Sequence, residues 1–312
     1  MTAVVTITPN PAIDVSTSTK RVEPDRKLRC SAQRRDPGGG GINVARVVKR
    51  LGGDVLAIYP TGGLTGQLLR MLMDREAVPS ATVDTAEETR EDFTVTDDGI
   101  ARQYRFVLPG PRLQRHEWES CLSALRAVKP TPQFVVASGS LPANVPDDFY
   151  ARVAIIAKDL GAKMVLDASG TALREALKGD VFLIKPNLRE LCELANTDLA
   201  DERAWINAAK AEIASGRLQT VALSLGHLGA LLVTPDMILR AHVGPIKPVS
   251  TVGAGDSFLG GMVYALAAGR SMADAFRLGV AAGSAAVLSF GTSLCDPQLV
   301  TRLQDQVITE RV

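Results

Sequence analysis

The sequence predicts an α/β fold: a doubly wound, mostly parallel sheet flanked by helices, carrying a small β-sheet lid. Short apolar, β-branched runs alternate with stretches of helical period, the rhythm of parallel strands joined by crossover helices. Two polar stretches, about 12–36 and 87–108, break that rhythm and read as the short strands of the lid. All of 1–312 is expected to form a single domain that includes this lid.

Each element has its own signal. The run Ala3 to Thr8 is apolar and β-branched and ends at Pro9, so it reads as a strand. A glycine run, Gly38 to Gly41, precedes apolar positions 42, 44, 45, 47, 48 and 51, which share one helix face, and Gly52 marks the stop. A second strand (54–60) and a second helix (64–76) follow. TVDT, DFTVTD and ARQYRFVL read as short strands, with a turn at Asp97-Asp98-Gly99. After Pro111 the alternation resumes with strands at 133–139, 163–169, 180–187 and 220–226, the first three each followed by helical sequence. ALLVTP and MILRAHV are two further strands. A glycine turn at 253–255 then leads to two apolar helices, about 256–268 and 273–289, and a polar terminal helix.

Composition narrows the function classes. The chain has 312 residues, 46% apolar and 22% charged, enough for a substantial core. Thirty-five basic and 34 acidic side chains leave a net charge of +1, so no global field gathers nucleic acid or an anionic membrane. Anions must be bound by local groups. Cys30, Cys121, Cys192 and Cys295 are scattered, with no C-x-x-C pair and only three histidines, which argues against structural zinc and a disulfide framework. No apolar run reaches the ~18 residues of a membrane span, and the first ten residues read as a strand rather than a signal peptide. A cytoplasmic protein with neither nucleic-acid nor membrane partners is expected.

Thr251-Val-Gly-Ala-Gly-Asp256 carries the strongest chemical signal. The glycines let the backbone turn tightly beside an anion, and the unpaired N–H groups of the following helix offer a hole for charge on a transferring phosphoryl group. Asp256, in the first turn, can accept the proton of an attacking hydroxyl. A glycine turn with a capping aspartate reads the same way in isolation. Gly38-Gly-Gly-Gly-Ile-Asn43 removes side chains where a substrate can lie on the backbone, and Asn43 offers donors and an acceptor to sugar hydroxyls. No Lys-Ser/Thr follows, so this is not a Walker A loop.

In Lys185-Pro-Asn187-Leu-Arg-Glu190, Asn187 and Glu190 share a helix face. The pair suits magnesium, or equally a reciprocal helix cap. Ser224-Leu-Gly226-His-Leu-Gly229 ends a strand at the carboxyl edge of the sheet, where a glycine turn admits a nucleotide or simply makes a hairpin. Ser138-Gly139-Ser140 ends another strand at that edge. Lys27, Arg29, Arg90 and Arg105 fall in the lid, as partners for a substrate phosphate or as solvated surface. Asp14, just past the first strand, can bind a sugar hydroxyl or cap a turn.

Taken together these residues resemble the PfkB (ribokinase-like) sugar kinase family, from the opening TPNPAID to the closing helices. The glycine run with Asn43, the T-x-G-A-G-D run and the intervening K-P-N-x-x-E stand in the family's order and spacing. GGGGINVAR, KLRC at Lys27 to Cys30, QYRFVLPG and STVGAGDS resemble its phosphosugar branch, above all the 6-phosphofructokinase group. Relatives acting on fructose 1-phosphate or tagatose 6-phosphate usually carry Lys where this chain has Gly40. Ser250, where many members have Asp, also fits the phosphosugar branch.

The resemblance implies ATP-dependent phosphorylation of fructose 6-phosphate at its C1 hydroxyl. Activity on fructose 1-phosphate or tagatose 6-phosphate is the alternative, and a non-catalytic sugar-phosphate sensor is the reading from another class. Asp256 would be the base, with Gly253, Ala254 and Gly255 as anion hole. Asp14, Gly38, Gly39, Asn43, Ser138 and Gly139 would hold the sugar, and Lys27 and Arg90, helped by Arg29 and Arg105, its phosphate. Lys185, Asn187, Ser224, Gly226, Gly229, Thr251, Gly283 and Ser284 would meet ATP, with Asn187 and Glu190 near magnesium. Some members bind potassium, here through Ser250, Val252, Ala286, Ser289, Gly291 and Ser293. The lid sheet of this family often pairs with a second subunit, which implies a homodimer.

Overall fold

The first strand, β1 (Val4–Ile7), is buried along its whole length because its neighbours lie on both sides and helices cover both faces. The computed structural model describes residues 3–289, 291 and 293–312. After β1 the chain leaves the main sheet to form β2 (Ala12–Thr19) and β3 (Arg34–Gly38), then enters α1 (Gly40–Arg50), β4 (Val55–Thr61), α2 (Gly63–Arg75) and β5 (Ser80–Asp84). β6 (Arg90–Asp97) and β7 (Arg102–Phe106) return to the small sheet. The α/β rhythm then runs through α3 (Arg115–Arg126), β8 (Phe134–Ser138), α4 (Phe149–Asp159), β9 (Lys163–Asp167), α5 (Gly170–Ala176), β10 (Val181–Ile184), α6 (Leu188–Ala195) and α7 (Glu202–Ala214). It closes with β11 (Leu218–Ser224), β12 (Ala230–Val233), β13 (Ile238–His242), α8 (Ala254–Ala267), α9 (Met272–Val287), α10 (Pro297–Gln304) and β14 (Ile308–Arg311).

Ten strands form the main sheet in the order β14-β13-β12-β11-β10-β9-β8-β1-β4-β5. From β11 to β5 every pairing is parallel, whereas β11 to β14 are antiparallel. Successive residues of a strand point to opposite faces. Val4 therefore joins the apolar core beneath α1, α8 and α9, while Val5 joins the one beneath α3 and α4. The chain adds β4 and β5 on one side of β1 and then crosses to β8 on the other. Such a switch point opens a crevice at the carboxyl ends of the strands, where ligands of doubly wound sheets bind.

The predicted lid is the separate sheet β3-β2-β6-β7. TVDT, read as a strand, falls at the end of β5, which pairs with β4 at the edge of the main sheet. Two expectations need correction. The polar end of the chain is not only helical, because β14 follows α10 and pairs with β13. Its sequence, ITER, is too short and polar to announce a strand; a free sheet edge recruits it. The expected turn at 253–255 is also shorter, since Ala254 and Gly255 already belong to the first turn of α8. Among the described residues no helix is long and apolar enough to cross a membrane.

Candidate active site

Two helix N-termini converge over the crevice. Gly39 caps α1 with φ 106°, and Gly253 caps α8 with φ 74°, backbone angles that favour glycine. The helices pack closely: a Cβ at Gly260 would lie 2.6 Å from Val47 Cγ1. That contact brings Asn43, in the first turn of α1, to Asp256, in the first turn of α8. Asn43 Nδ2 donates to Asp256 Oδ2 at 2.9 Å. The sequence separates these residues by 213 positions.

Burial pushes the Asp256 carboxyl up to about 6, and Asp167 pushes the same way; the Asn43 hydrogen bond, Lys185 and Arg105 pull against them. A carboxylate of that strength can take a proton near neutral pH. Asp167 closes β9 and lies 3.2 Å from the Lys185 ammonium at the end of β10. Lys185 is 6% exposed. Burial alone would lower its pKa, but Asp167, Asp256 and Glu190 hold it above the ordinary lysine value, so it carries its charge. A Cβ at Gly255 would sit 3.2 Å from Lys185 Nζ, which puts a fixed cation beside the unpaired amides of α8. A buried cation and a helix N-terminus together suit a multiply charged anion.

The glycine run forms the other wall. Asp14 Oδ1 would be 2.4 Å from a Cβ at Gly38, and Ser138 Oγ only 2.1 Å from one at Gly40, so both side chains lie directly over the run. The Ser138–Ser140 loop is pinned on two sides: Asn10 Nδ2 donates to Ser140 Oγ at 3.0 Å, and the Tyr150 hydroxyl donates to the Gly139 carbonyl at 2.7 Å. Asp14 and the Ser138–Gly139 turn therefore line the glycine run that leads into α1 and Asn43.

The lid cations divide. Arg105 stands on β7, exposed, and acts electrostatically on Asp256. Arg90 is largely engaged within the chain: its guanidinium donates to Asp92, to the Leu108 carbonyl and to the Asn10 carbonyl, while Nε is buried with no hydrogen-bond partner among the described residues. Lys27 and Arg29 lie on the exposed stretch between β2 and β3.

On the opposite side, Asn187 bridges to Ser224, joining the ends of β10 and β11. Asn187 and Glu190 form a reciprocal cap, each side chain accepting from the other's backbone N–H at 2.9 Å. Gly226 opens a short 3-10 turn that ends at Gly229, so this glycine segment is also the hairpin into β12. Gly283 packs on the start of α8, its Cβ position 3.2 Å from the Ala254 carbonyl, and Ser284 follows it on α9. Thr251 is exposed beside them.

Of the positions expected to surround potassium, Ser250, Val252, Ala286 and Ser289 lie together. Ser250 N–H donates to the Val287 carbonyl, next to Ala286, and Val252 N–H donates to Ser250 Oγ. Ser289 N–H donates to the Ala286 carbonyl. Gly291 abuts Ser16 of β2, and the Ser293 carbonyl accepts from Arg50. Among the described residues there is no cluster of three or more His, Cys, Asp or Glu able to hold a metal ion.

Sequence reasoning missed four neighbours of the site: Asp167, Asn10, Gln103 and Arg46, which donates to Asn43 Oδ1 at 3.1 Å. Asp167 ends a strand at the same edge as Ser138, a signal that could have found it. Gln103, which accepts from Ser250 Oγ at 3.3 Å, has no sequence signal.

Comparison with known proteins identifies the family. A family model described as pfkB family carbohydrate kinase matches residues 2–299. ATP-dependent 6-phosphofructokinase isozyme 2 of Mycobacterium tuberculosis is 46% identical over 299 residues, covering 96% of this chain and 88% of its own. The 1-phosphofructokinase of Borreliella burgdorferi is 32% identical over 311 residues, covering 99% of each. Among solved structures, phosphofructokinase-2 from Escherichia coli in complex with fructose-6-phosphate superposes with a TM-score of 0.92 at 38% identity, covering 98% of this chain and 99% of that one. The same enzyme in complex with potassium gives 0.93 at 39%, with the same coverage. The matched model runs across both glycine-capped helices and the strands beneath them, and the chain belongs to the pfkB family of carbohydrate kinases.

Proposed function

We propose that this chain phosphorylates fructose 6-phosphate at the C1 hydroxyl, using ATP and releasing fructose 1,6-bisphosphate and ADP, with Asp256 as the base. The observation that carries the reading is the Asn43–Asp256 pair where two glycine-capped helix N-termini meet. Asp14, Asn43 and the Ser138–Gly139 loop hold the sugar so that its C1 oxygen faces Asp256. Asp256 takes the hydroxyl proton as that oxygen attacks the γ-phosphorus in line. The amides of Gly253, Ala254 and Gly255, with Lys185, stabilise the charge of the transferring group. Ser224, Gly226, Gly229, Thr251, Gly283 and Ser284 line the nucleotide side.

Asn187 and Glu190 cap each other and can offer few oxygens outward. That fits magnesium, which keeps several waters and takes most of its remaining ligands from nucleotide phosphates. When bound, magnesium neutralises phosphate charge. Ser250, Val252, Ala286, Ser289, Gly291 and Ser293 are read as the positions that would hold a monovalent cation such as potassium. Lys27, Arg29, Arg90 and Arg105 are read as partners of the substrate phosphate, with the lid excluding water that would hydrolyse ATP. The chain works as one domain with its lid, in the cytoplasm where ATP is supplied, and as a homodimer through the lid sheets.

Phosphorylation of fructose 1-phosphate or tagatose 6-phosphate is the competing specificity, since a 1-phosphofructokinase is among the relatives. Gly40 favours fructose 6-phosphate: a side chain there would meet Ser138 Oγ at 2.1 Å. A panel of kcat/KM values for fructose 6-phosphate, fructose 1-phosphate, tagatose 6-phosphate and unphosphorylated sugars tests the specificity, with fructose 6-phosphate expected highest. Asp256→Asn tests the base: binding should persist while kcat falls roughly 10²–10⁴-fold. A near-normal kcat in that variant removes Asp256 from the role, and absence of ADP release with any sugar would favour a sensor.

A further inference from the structure

Asn43 touches Asp256 through an amide whose two ends are chemically opposite, one donating and one accepting. Only the donating end suits a carboxylate. What decides the orientation lies one helical turn further on. Arg46 follows Asn43 by three residues on α1, so the two side chains are neighbours on one face. The Arg46 side chain is fully buried. One guanidinium nitrogen donates to Asn43 Oδ1 at 3.1 Å and to the Pro37 carbonyl at 2.8 Å. The others donate to Glu76 at 2.8 and 3.2 Å, and Asp36 lies 3.7 Å away. The Pro37 and Glu76 contacts fix the guanidinium independently of Asn43.

A guanidinium has five donors and no acceptor. It can face only the oxygen of the Asn43 amide, which leaves Nδ2 for Asp256. The reverse orientation would set an amide NH2 against the guanidinium and an oxygen against the carboxylate, two repulsive contacts at once.

We propose that Arg46 is a positioning residue of the phosphoryl-transfer site, locking the Asn43 amide so that it donates to Asp256 and never presents oxygen to it. The inference rests on the reading of Asp256 as base, but its decisive measurement involves no turnover. The charged and polar groups acting on Asp256 are Asn43 from α1, Asp167 at the end of β9, Lys185 following β10 and Arg105 from β7. Of these only the Asn43 contact depends on Arg46.

The test is a carboxyl titration of Asp256 in the ligand-free protein, followed by carbon-13 NMR and assigned with Asp256→Asn. Arg46→Gln should move the Asp256 midpoint upward by about one pH unit, the scale of one hydrogen bond to a charged group. Arg46→Lys, which keeps a donor-only cation, should return most of that shift. In an Asn43→Leu background, Arg46→Gln should add nothing. The acid limb of kcat/KM should move in step. A merely structural Arg46 would lower thermal stability and leave the midpoint where it was, and a folded Arg46→Gln protein with an unmoved midpoint overturns the proposal. A second measurement needs no variant: in the wild-type protein the Asn43 amide protons should shift with the Asp256 midpoint, and protons blind to it would also overturn the proposal. Loss of kcat in Asp256→Asn bears only on the base assignment, so the two ideas fail separately.

Discussion

Asp256 sits where burial and a neighbouring acid outweigh its cationic partners, and two consequences follow at the scale of that residue. As the proposed base, its carboxyl, raised to about 6, must be ionised to accept a proton, so kcat/KM should fall as pH drops through that value. A pH–rate profile flat down to pH 5 would contradict this. The same shift costs stability. The unfolded chain ionises this group near about 4 and the folded chain near about 6. Across that window rising pH favours the unfolded state, and the full cost is present above it. Asp256→Asn should therefore be more stable than wild type at pH 7.5, by on the order of 1–3 kcal/mol in unfolding free energy measured by denaturant titration, and the difference should vanish near pH 4. The lid cations separate by a similar argument. Arg90 ties β6 to the Asn10 and Leu108 carbonyls, while Lys27 lies on an exposed stretch. Both Lys27→Ala and Arg90→Ala should raise KM for the phosphosugar well above any change for ATP. Only Arg90→Ala should also lower Tm. Equal rises for both substrates would remove their phosphate role.

At the scale of elements, the fit of α1 against the end of β8 decides the shape of the sugar side. Gly40→Ala would normally help a helix, because alanine has the higher propensity. Here the new Cβ would lie 2.1 Å from Ser138 Oγ and 3.1 Å from its Cβ. Overpacking of this kind costs roughly 1–3 kcal/mol. Gly40→Ala should lower both Tm and affinity for the sugar phosphate, and Ser138→Ala, which removes the closer atom, should restore part of the stability. Additive losses in the double variant would show that the two positions do not compete for space. Such contacts explain what was legible in the sequence. The alternation of β-branched runs and helical periods gave the parallel strands and their helices, because each such element announces itself locally. Gly39, Gly253, Asn43 and Asp256 were legible because a glycine before an apolar helix marks a helix N-terminus. Asn10 and Gln103 were not, because each owes its position to long-range pairing: Asn10 reaches Ser140 across 130 residues, and Gln103 reaches Ser250 across 147. β14 was hidden for the same reason, being a strand only because β13 leaves an edge for it.

At the scale of the whole molecule, the small sheet raises the question of what covers its far side. Along β7 the side chains alternate. Gln103 reaches Ser250 and Arg105 acts on Asp256, so these odd positions look into the crevice. Tyr104 and Phe106 point to the other face, and Val107 and Leu108 follow; all four are exposed, Phe106 at 53% and Val107 at 61%. β7 is also an edge strand, with β6 on one side only. An apolar patch on an open edge calls for a partner, and a second copy of the same sheet would supply a matching one. In the proposed homodimer these residues would be buried. Phe106→Glu should then shift the mass measured by light scattering from two chains toward one, because a carboxylate would be buried on each side of a two-fold contact. The same edge carries Arg105 on its inner face, so loosening it should also raise KM for the phosphosugar while leaving KM for ATP nearly unchanged. A Phe106→Glu protein that keeps the wild-type mass and both KM values would remove this face from the assembly.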